Sequence, residues 1–308
     1  MNIVYKSTAS RGELWARLLA ELAPEINFRQ WPDIGNPLDV DYLVAWQPPE
    51  NIMQWFPNLK VLFSVGAGAD QFDYASLPPE LPVVRMIEPG LTQGMVEYVT
   101  FAVLGLHRGM PRYLQQQRQQ QWLEQPAKPA AQCRVGVMGV GTLGEAVLQP
   151  LVQFGYDCAG WSRTAKNLPG VQSYVGEAQL NAFLARTDIL ICLLPLTDAT
   201  EGILNASLFA QLPPGAALVQ VGRGRQLNHQ HLLEALNQQQ LSAAVIDVTQ
   251  PEPLPEGHPF WRHPAIWLTP HIASQTQPES AVRALLDNIR RFENGEPMQG
   301  LVDRQRGY

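Results

Sequence analysis

The stretch Val135-Gly-Val-Met-Gly139-Val-Gly141-Thr-Leu-Gly144 decides the fold. A β-branched run leads into Gly-x-Gly-x-x-Gly, and a helical pattern follows. Each glycine has a physical task. Gly139 makes the tight turn, Gly141 lets the backbone approach a pyrophosphate, and Gly144 lets helix and strand pack closely. The helix that begins at Thr142 and Leu143 offers N–H groups and a partial positive charge to phosphates. Three glycines could merely shape a tight connection, but the strand–turn–helix context marks a dinucleotide-binding turn.

Outward from this turn, short β-rich runs alternate with helix-like stretches, the pattern of parallel sheets covered by helices. One series of strands is expected at Asn2–Tyr5, Asn27–Gln30, Tyr42–Ala45, Val61–Ser64 and Val83–Arg85. A helix over Gly12–Leu22 is read with Leu14, Leu18, Leu19 and Leu22 on one side. A second series runs through Arg134–Met138, Asp157–Trp161, Ile189–Leu194, Ala217–Val221, Ala243–Asp247 and Ile266–Thr269. Between the series lie helices at Thr92–Arg108 and Pro111–Trp122, with Pro111 as a first helical residue. A last helix is read at Pro278–Phe292. The fold class is therefore α/β, with two doubly wound parallel-sheet domains. The second is inserted into the first, so that 99–271 forms one domain, 1–98 with 272–308 the other, and a cleft separates them.

The strand after the glycine turn ends Trp161-Ser162-Arg163-Thr164. An NAD enzyme usually places an acidic side chain here for the ribose 2′-hydroxyl. Asp157 lies at the wrong end of the strand. Arg163, flanked by Ser162 and Thr164 with Lys166 nearby, suits a 2′-phosphate instead, so NADP is favoured over NAD.

Three later segments each carry a polar group just beyond an apolar strand: Gly222-Arg223-Gly224, Glu252-Pro-Leu-Pro255 and Thr269-Pro-His271. Reducing a 2-keto acid by hydride needs a cation for the carboxylate and keto oxygen, which Arg supplies bidentately. It needs an acid whose pKa lies near working pH, and a carboxylate that fixes and charges that acid. Arg223, His271 and Glu252 fit these roles in that order. A binding protein that senses a dinucleotide without turnover would carry the same pattern.

Composition narrows the partners. Of 308 residues, 22 are basic and 28 acidic, a net charge of −6, which argues against nucleic acid or an anionic membrane as partner. The N-terminus lacks the apolar run of a signal peptide, and no stretch reaches the length of a membrane span, so a cytoplasmic location is expected. Cys133, Cys158 and Cys192 read as buried reduced thiols. His258 and His263 fit no usual zinc spacing, so no metal is expected. His229 and His231 read as solvated, as does the glutamine run 115–121. Met95, Val99, Val103 and Leu106 form an apolar stripe on the Thr92–Arg108 helix.

With these residues in view, the chain resembles the D-2-hydroxyacid dehydrogenases, and within them the glyoxylate/hydroxypyruvate reductase A branch. The resemblance runs over the whole chain, through Trp46-Gln-Pro-Pro49, Val65-Gly-Ala-Gly-Ala-Asp70, Gly139–Gly144, Trp161–Thr164, Gly222–Gly224, Glu252–Pro255, Thr269–His271 and Val302-Asp-Arg-Gln-Arg-Gly-Tyr308. It implies a Rossmann cofactor domain set into a flavodoxin-like substrate domain, a homodimer formed partly through the Thr92–Arg108 region, and glyoxylate or hydroxypyruvate as the small 2-keto acid. It also implies Arg223 as substrate anchor, Glu252 and His271 as the acid/base pair, and a grip on the substrate carboxylate by the N–H groups around Ala67 and Gly68, while Trp46 reads equally as a wall of the substrate pocket or as core packing. Further cofactor contacts are expected at Pro195, Val221 and Asp247. The chain departs from the branch at Gln220 and Val221, where Asn-Leu-Ala or similar is common, and at Thr249, where an aromatic is common.

Overall fold

The computed structural model describes residues 1–304. Residues 305–308, the end of the Val302–Tyr308 stretch quoted above, lie outside them. The chain forms two units, Met1–Leu91 with the segment from Gln275 onward, and Thr92–Ser274.

The first unit holds β1 (Asn2–Lys6), α1 (Ala9–Leu22), β2 (Asn27–Gln30), β3 (Tyr42–Ala45), the short α2 (Ile52–Trp55), β4 (Val61–Ser64) and β5 (Val83–Val84). The strands are parallel in the order β2-β1-β3-β4-β5, the doubly wound flavodoxin-like arrangement. Alternation along β1 explains two cores. Ile3 and Tyr5 face one layer and Val4 the other, because successive strand side chains point to opposite faces. The buried residues of α1 are Gly12, Trp15 and Leu19, while Leu22 is exposed. The stripe is rotated from the expected leucines because Gly12 sits against the sheet. A Cβ there would lie 2.0 Å from Gln30 Oε1.

The chain leaves this unit through α3 (Pro89–His107). The second unit continues with α4 (Met110–Arg118), β6 (Arg134–Met138), α5 (Thr142–Gln153), β7 (Asp157–Ser162), β8 (Val171–Val175), α6 (Leu180–Ala185), β9 (Ile189–Cys192), α7 (Ala206–Phe209), β10 (Ala216–Gln220), α8 (His229–Asn237), β11 (Leu241–Ile246) and β12 (Ile266–Leu268). Its sheet is parallel throughout, in the order β12-β11-β10-β9-β6-β7-β8. Counted within the unit, that is the Rossmann order with a seventh strand added. One sheet face packs Val135, Val137, Ile191 and Val219 with α3 and α5, and the other packs Leu190, Leu218 and Ile246 with α6 to α8. The stripe on α3 is seated in the first of these layers, with Met95, Val99 and Val103 buried and Leu106 partly so. Finally α9 (Pro278–Glu293) returns the chain to the first unit and packs Ala281, Val282, Leu285 and Ile289 on the α1 side of its sheet.

Several boundaries differ from expectation for local reasons. Helix α3 starts at Pro89, ahead of Thr92, because the buried Glu88 carboxylate accepts from the N–H groups of Gly90 and Leu91 and caps the first turn. The first division of the chain accordingly falls at 91/92 rather than 98/99. The second falls at 274/275 rather than 271/272, since Ala273 is buried in the Rossmann core. Helix α4 ends at Arg118, before Trp122, where Gln120 turns to a φ of 55°. Gln116, read as solvated, is buried. All three cysteines are buried and unbonded to one another, and burial pushes their thiols up, to about 11 for Cys133 and about 12 for Cys158 and Cys192. Among the described residues no helix is long and apolar enough to cross a membrane.

Candidate active site

The glycine turn is built as its spacing requires. Gly139 has a φ of 98°, and a Cβ on it would lie 2.7 Å from the Leu193 carbonyl oxygen. Only glycine tolerates that conformation at no steric cost. A Cβ on Gly144 would lie 2.1 Å from the Gly139 carbonyl oxygen, so helix α5 can seat on the turn only without one. Gly141 differs, since a Cβ there would meet no atom within 4 Å. It leads into α5, whose first turn carries Thr142 and Leu143 and whose leading N–H groups have no partner within the helix. Open space before a helix N-terminus fits a pyrophosphate.

At the end of β7, Ser162 donates to the Thr164 carbonyl at 2.7 Å, which bends the strand end, and Arg163 and Thr164 are exposed. Lys166 is committed elsewhere, in a 2.7 Å pair with Glu145 of α5, so the expected cluster of two cations reduces to Arg163. Asp157, at the far end of the strand, pairs with Arg186.

Arg223, Glu252 and His271 follow β10, β11 and β12, three neighbouring parallel strands, so their side chains emerge at one sheet edge. His271 Nδ1 lies 2.9 Å from Glu252 Oε2, with 37% and 39% of the two side chains open to solvent. The other Glu252 oxygen accepts from the Thr249 N–H at 2.9 Å, which orients the carboxylate. The hydrogen bond to Glu252 raises the pKa of His271 above the usual histidine value. Burial opposes this, the Glu252 charge adds to it, and the positive charge of Arg223 works against it. Burial pushes the Glu252 carboxyl up, yet the His271 hydrogen bond, the Thr249 N–H and the charges of His271 and Arg223 together hold it below its usual value. The three groups thus feel one another. Their arrangement can hold an anion, polarise a carbonyl and deliver a proton.

Glycines on both sides of the arginine are structural requirements. A Cβ on Gly224 would lie 1.9 Å from the Thr249 carbonyl oxygen, and one on Gly222 would lie 2.3 Å from Gln226 Oε1. Val221 is buried beneath this loop, and Pro195 lies beyond β9 with its carbonyl accepting from Thr200 and Gln226.

Asp247 serves the chain itself. It is 1% exposed, and its carboxylate accepts from Thr269 Oγ1 at 2.6 Å, Ile272 N–H at 2.8 Å and Ala273 N–H at 2.9 Å. Its own carbonyl accepts from the His271 N–H at 2.9 Å. These bonds hold His271 in the left-handed region, at a φ of 56°. Tyr98 extends the support with a 2.5 Å hydrogen bond to Thr269. Burial, then the Asp247 charge, push its hydroxyl up to about 12, with the Thr269 bond opposing. Nothing in the spacing of Tyr98, Asp247 and Thr269 distinguishes this network in the sequence.

In the first unit, Trp46 follows β3 and is 39% exposed. Its ring edge lies 3.4 Å from where a Gly66 Cβ would stand. The turn after β4 is tied by Ser64, which accepts from the Gly66 N–H and donates to the Gly68 carbonyl. The N–H groups of Ala67 and Gly68 take no partner among the described residues. His229 and His231, read as solvated, are half-buried. His229 Nδ1 lies 3.2 Å from His258 Nε2, beside Phe260. Among the described residues no group of three or more His, Cys, Asp or Glu side chains gathers as metal ligands do.

This fold and this set of groups define a class: the chain belongs to the D-isomer specific 2-hydroxyacid dehydrogenase family. Residues 100–273 match the family described as D-isomer specific 2-hydroxyacid dehydrogenase, NAD binding domain. Its branch is that of the glyoxylate/hydroxypyruvate reductase A proteins. The protein of that name from Yersinia enterocolitica is 40% identical over the whole of both chains. A D-isomer specific 2-hydroxyacid dehydrogenase from Xanthobacter autotrophicus, solved with NADPH and MES, is 38% identical with a TM-score of 0.94, covering 100% of this chain and 99% of that one. The NADPH-dependent glyoxylate/hydroxypyruvate reductase of Sinorhizobium meliloti, solved with NADP and sulfate, is 34% identical with a TM-score of 0.93 and the same coverage.

Proposed function

We propose that this chain is an NADPH-dependent reductase of small 2-keto acids, converting glyoxylate to glycolate and hydroxypyruvate to glycerate. The observation that carries the reading is the Glu252–His271 pair with Arg223 in electrostatic reach, on the same sheet as the glycine turn. Bound NADPH supplies the hydride. Gly139, Gly141, Thr142, Leu143 and Gly144 hold its pyrophosphate. Ser162, Arg163 and Thr164 receive the 2′-phosphate, and Pro195, Val221 and the Asp247 loop line the nicotinamide end. The relatives solved with NADPH and NADP support the choice of cofactor.

In this reading Arg223 grips the substrate carboxylate and polarises the keto oxygen, and the N–H groups of Ala67 and Gly68 and the Trp46 ring are the first unit's candidates for substrate contact. His271 gives its Nε2 proton to the keto oxygen as the alkoxide forms. Glu252 fixes the other ring nitrogen as a donor and keeps the ring charged until that moment. The reading extends to a cytoplasmic location and to a homodimer, the latter favoured by Phe101, a 64% exposed ring on α3.

The test is direct. Purified protein mixed with NADPH and glyoxylate, hydroxypyruvate or pyruvate should consume the reduced-nicotinamide absorbance. His271→Gln should lower turnover by about 10²–10⁴-fold with NADPH binding little changed. No decay with any of the three acids would move the chain to the class of non-catalytic dinucleotide sensors.

A further inference from the structure

Two glutamines that no substrate can touch hold the Arg223 peptide from both sides. Gln220, the last residue of β10, and Gln226, three residues beyond Arg223, are each 0% exposed. The Arg223 N–H donates to Gln226 Oε1 at 2.8 Å, and the Arg223 carbonyl accepts from Gln220 Nε2 at 2.8 Å. Gln226 then reaches back, its Nε2 donating to the carbonyls of Leu194 at 2.9 Å and Pro195 at 3.0 Å beyond β9. The two amides also meet, Gln220 Nε2 lying 3.4 Å from Gln226 Oε1. The guanidinium is steadied too, with Nη1 donating to the Gly222 carbonyl at 2.8 Å.

We infer that Gln226 and Gln220 are positioning residues for the reaction: they set where Arg223 presents its guanidinium, and Gln226 locks that placement to the Leu194–Pro195 segment. The inference rests on the reading of Arg223 as keto-acid anchor. Filling space does not account for the pair. Gln220 leaves its own Oε1 buried with no partner among the described residues, a cost that an apolar side chain of the same length would avoid. What the amide contributes in exchange is a donor aimed at the Arg223 carbonyl. Gly222 completes the device, because any side chain there would push Gln226 Oε1 off the Arg223 N–H.

The experiment uses the full chain with NADPH and glyoxylate, and reads kcat and KM for Gln226→Glu and Gln220→Met relative to the unaltered protein at each pH. A protonated glutamic acid keeps one acceptor for Arg223 and one donor for the Leu194 or Pro195 carbonyl. Once ionised it keeps no donor and faces two carbonyls. Burial favours the neutral form. The ratio of Gln226→Glu to unaltered kcat/KM should therefore climb as pH falls, from a deficit of about 30- to 100-fold, the loss expected when an anchor moves by an ångström. Gln220→Met should raise the glyoxylate KM and lower kcat, by about tenfold together, while changing the NADPH KM less than about threefold. Taking the ratio at each pH removes the protonation of His271, which both proteins share. A merely structural role would lower the melting temperature and leave both constants of the folded fraction in place. Folded variants with kcat and KM within threefold of the unaltered protein across the pH range would overturn the inference. If Gln226→Glu does not fold, Gln220→Met alone decides. An unaltered chain inert toward keto acids would overturn the functional reading and this inference together, whereas an active one with indifferent variants removes only the latter.

Discussion

Replacing Glu252 with glutamine should change the pH dependence of reduction rather than only its rate. In the proposed mechanism the reacting form of His271 is the imidazolium. Its pKa is raised first by the hydrogen bond to Glu252 and further by that carboxylate's charge. The sign follows from that direction. Activity is present below the raised pKa and is lost as pH climbs through it, so removing the carboxylate charge makes the loss begin at lower pH. A charge pair about 4 Å apart is worth ~1 kcal/mol in water and ~4 kcal/mol at a partly buried site. With 37% and 39% of the side chains open, solvent screens the pair toward the lower figure, and about 1.4 kcal/mol is a reasonable value. That energy corresponds to about a tenfold smaller imidazolium fraction on the alkaline limb. Geometry contributes separately. Glu252 accepts from both Thr249 N–H and His271, and a glutamine has one acceptor oxygen for the two donors. This second loss is the same at every pH. The assay is kcat/KM for glyoxylate across pH, each profile scaled to its own acid plateau. The scaled profile of Glu252→Gln should fall earlier and lie about tenfold lower on the alkaline side. Two scaled profiles that superimpose would refute the assignment of Glu252 as the group that keeps His271 charged.

Two further substitutions probe the cofactor end and the loop that carries His271. Arg163→Ala should weaken NADPH binding by about 10- to 100-fold, the worth of a charge-assisted hydrogen bond, and leave NADH nearly unchanged; an equal loss with both in a binding titration removes Arg163 from the 2′-phosphate. Asp247→Asn should destabilise the protein by about 2–3 kcal/mol in denaturant unfolding and cut kcat by about 10²-fold, because an amide NH2 would face at least one of the three donors now shared by the carboxylate. Unchanged unfolding and turnover would mean that the left-handed backbone of His271 is held by something else.

The sequence carried most of the architecture because buried parallel strands announce themselves as apolar runs. Among the described residues, eleven of the twelve strands lie where those runs predicted, within one or two residues at each end. The exception, β8, is the outer strand beside β7, and its Val171-Gln-Ser-Tyr-Val175 is only half-buried, so it shows no apolar run. The third strand of the Rossmann order was invisible for that reason. The rotated face of α1 was hidden differently, since the residue that seats the helix is Gly12, which periodicity does not count. The half-buried His229 follows from a cluster with His258 and Phe260 that only the fold assembles.

The site divides along the same physical line. Arg223, Glu252 and His271 were legible because each follows an apolar strand, and a parallel sheet carries the ends of its strands to one edge. Gln220, Gln226 and Thr269 were not, and Asp247 was read only as a cofactor contact, because a polar side chain facing solvent and one buried as a brace read identically in sequence. Gln220 stood out only as a departure from the branch pattern, and the structure gives that departure a task. The groups proposed to react are more than a third exposed or half-buried, while Gln220, Gln226 and Asp247 beneath them are 0 to 1% exposed. In the proposed mechanism a substitution among the braces changes no group that meets substrate, yet it moves one that does. Efficiency toward keto acids is therefore open to change from beneath Arg223 as well as from the pocket wall, and the two routes separate in kinetics. A wall change alters discrimination between glyoxylate and hydroxypyruvate, whereas a brace change at Gln220 or Gln226 lowers kcat/KM for both acids by the same factor, because both present the same carboxylate to the same guanidinium.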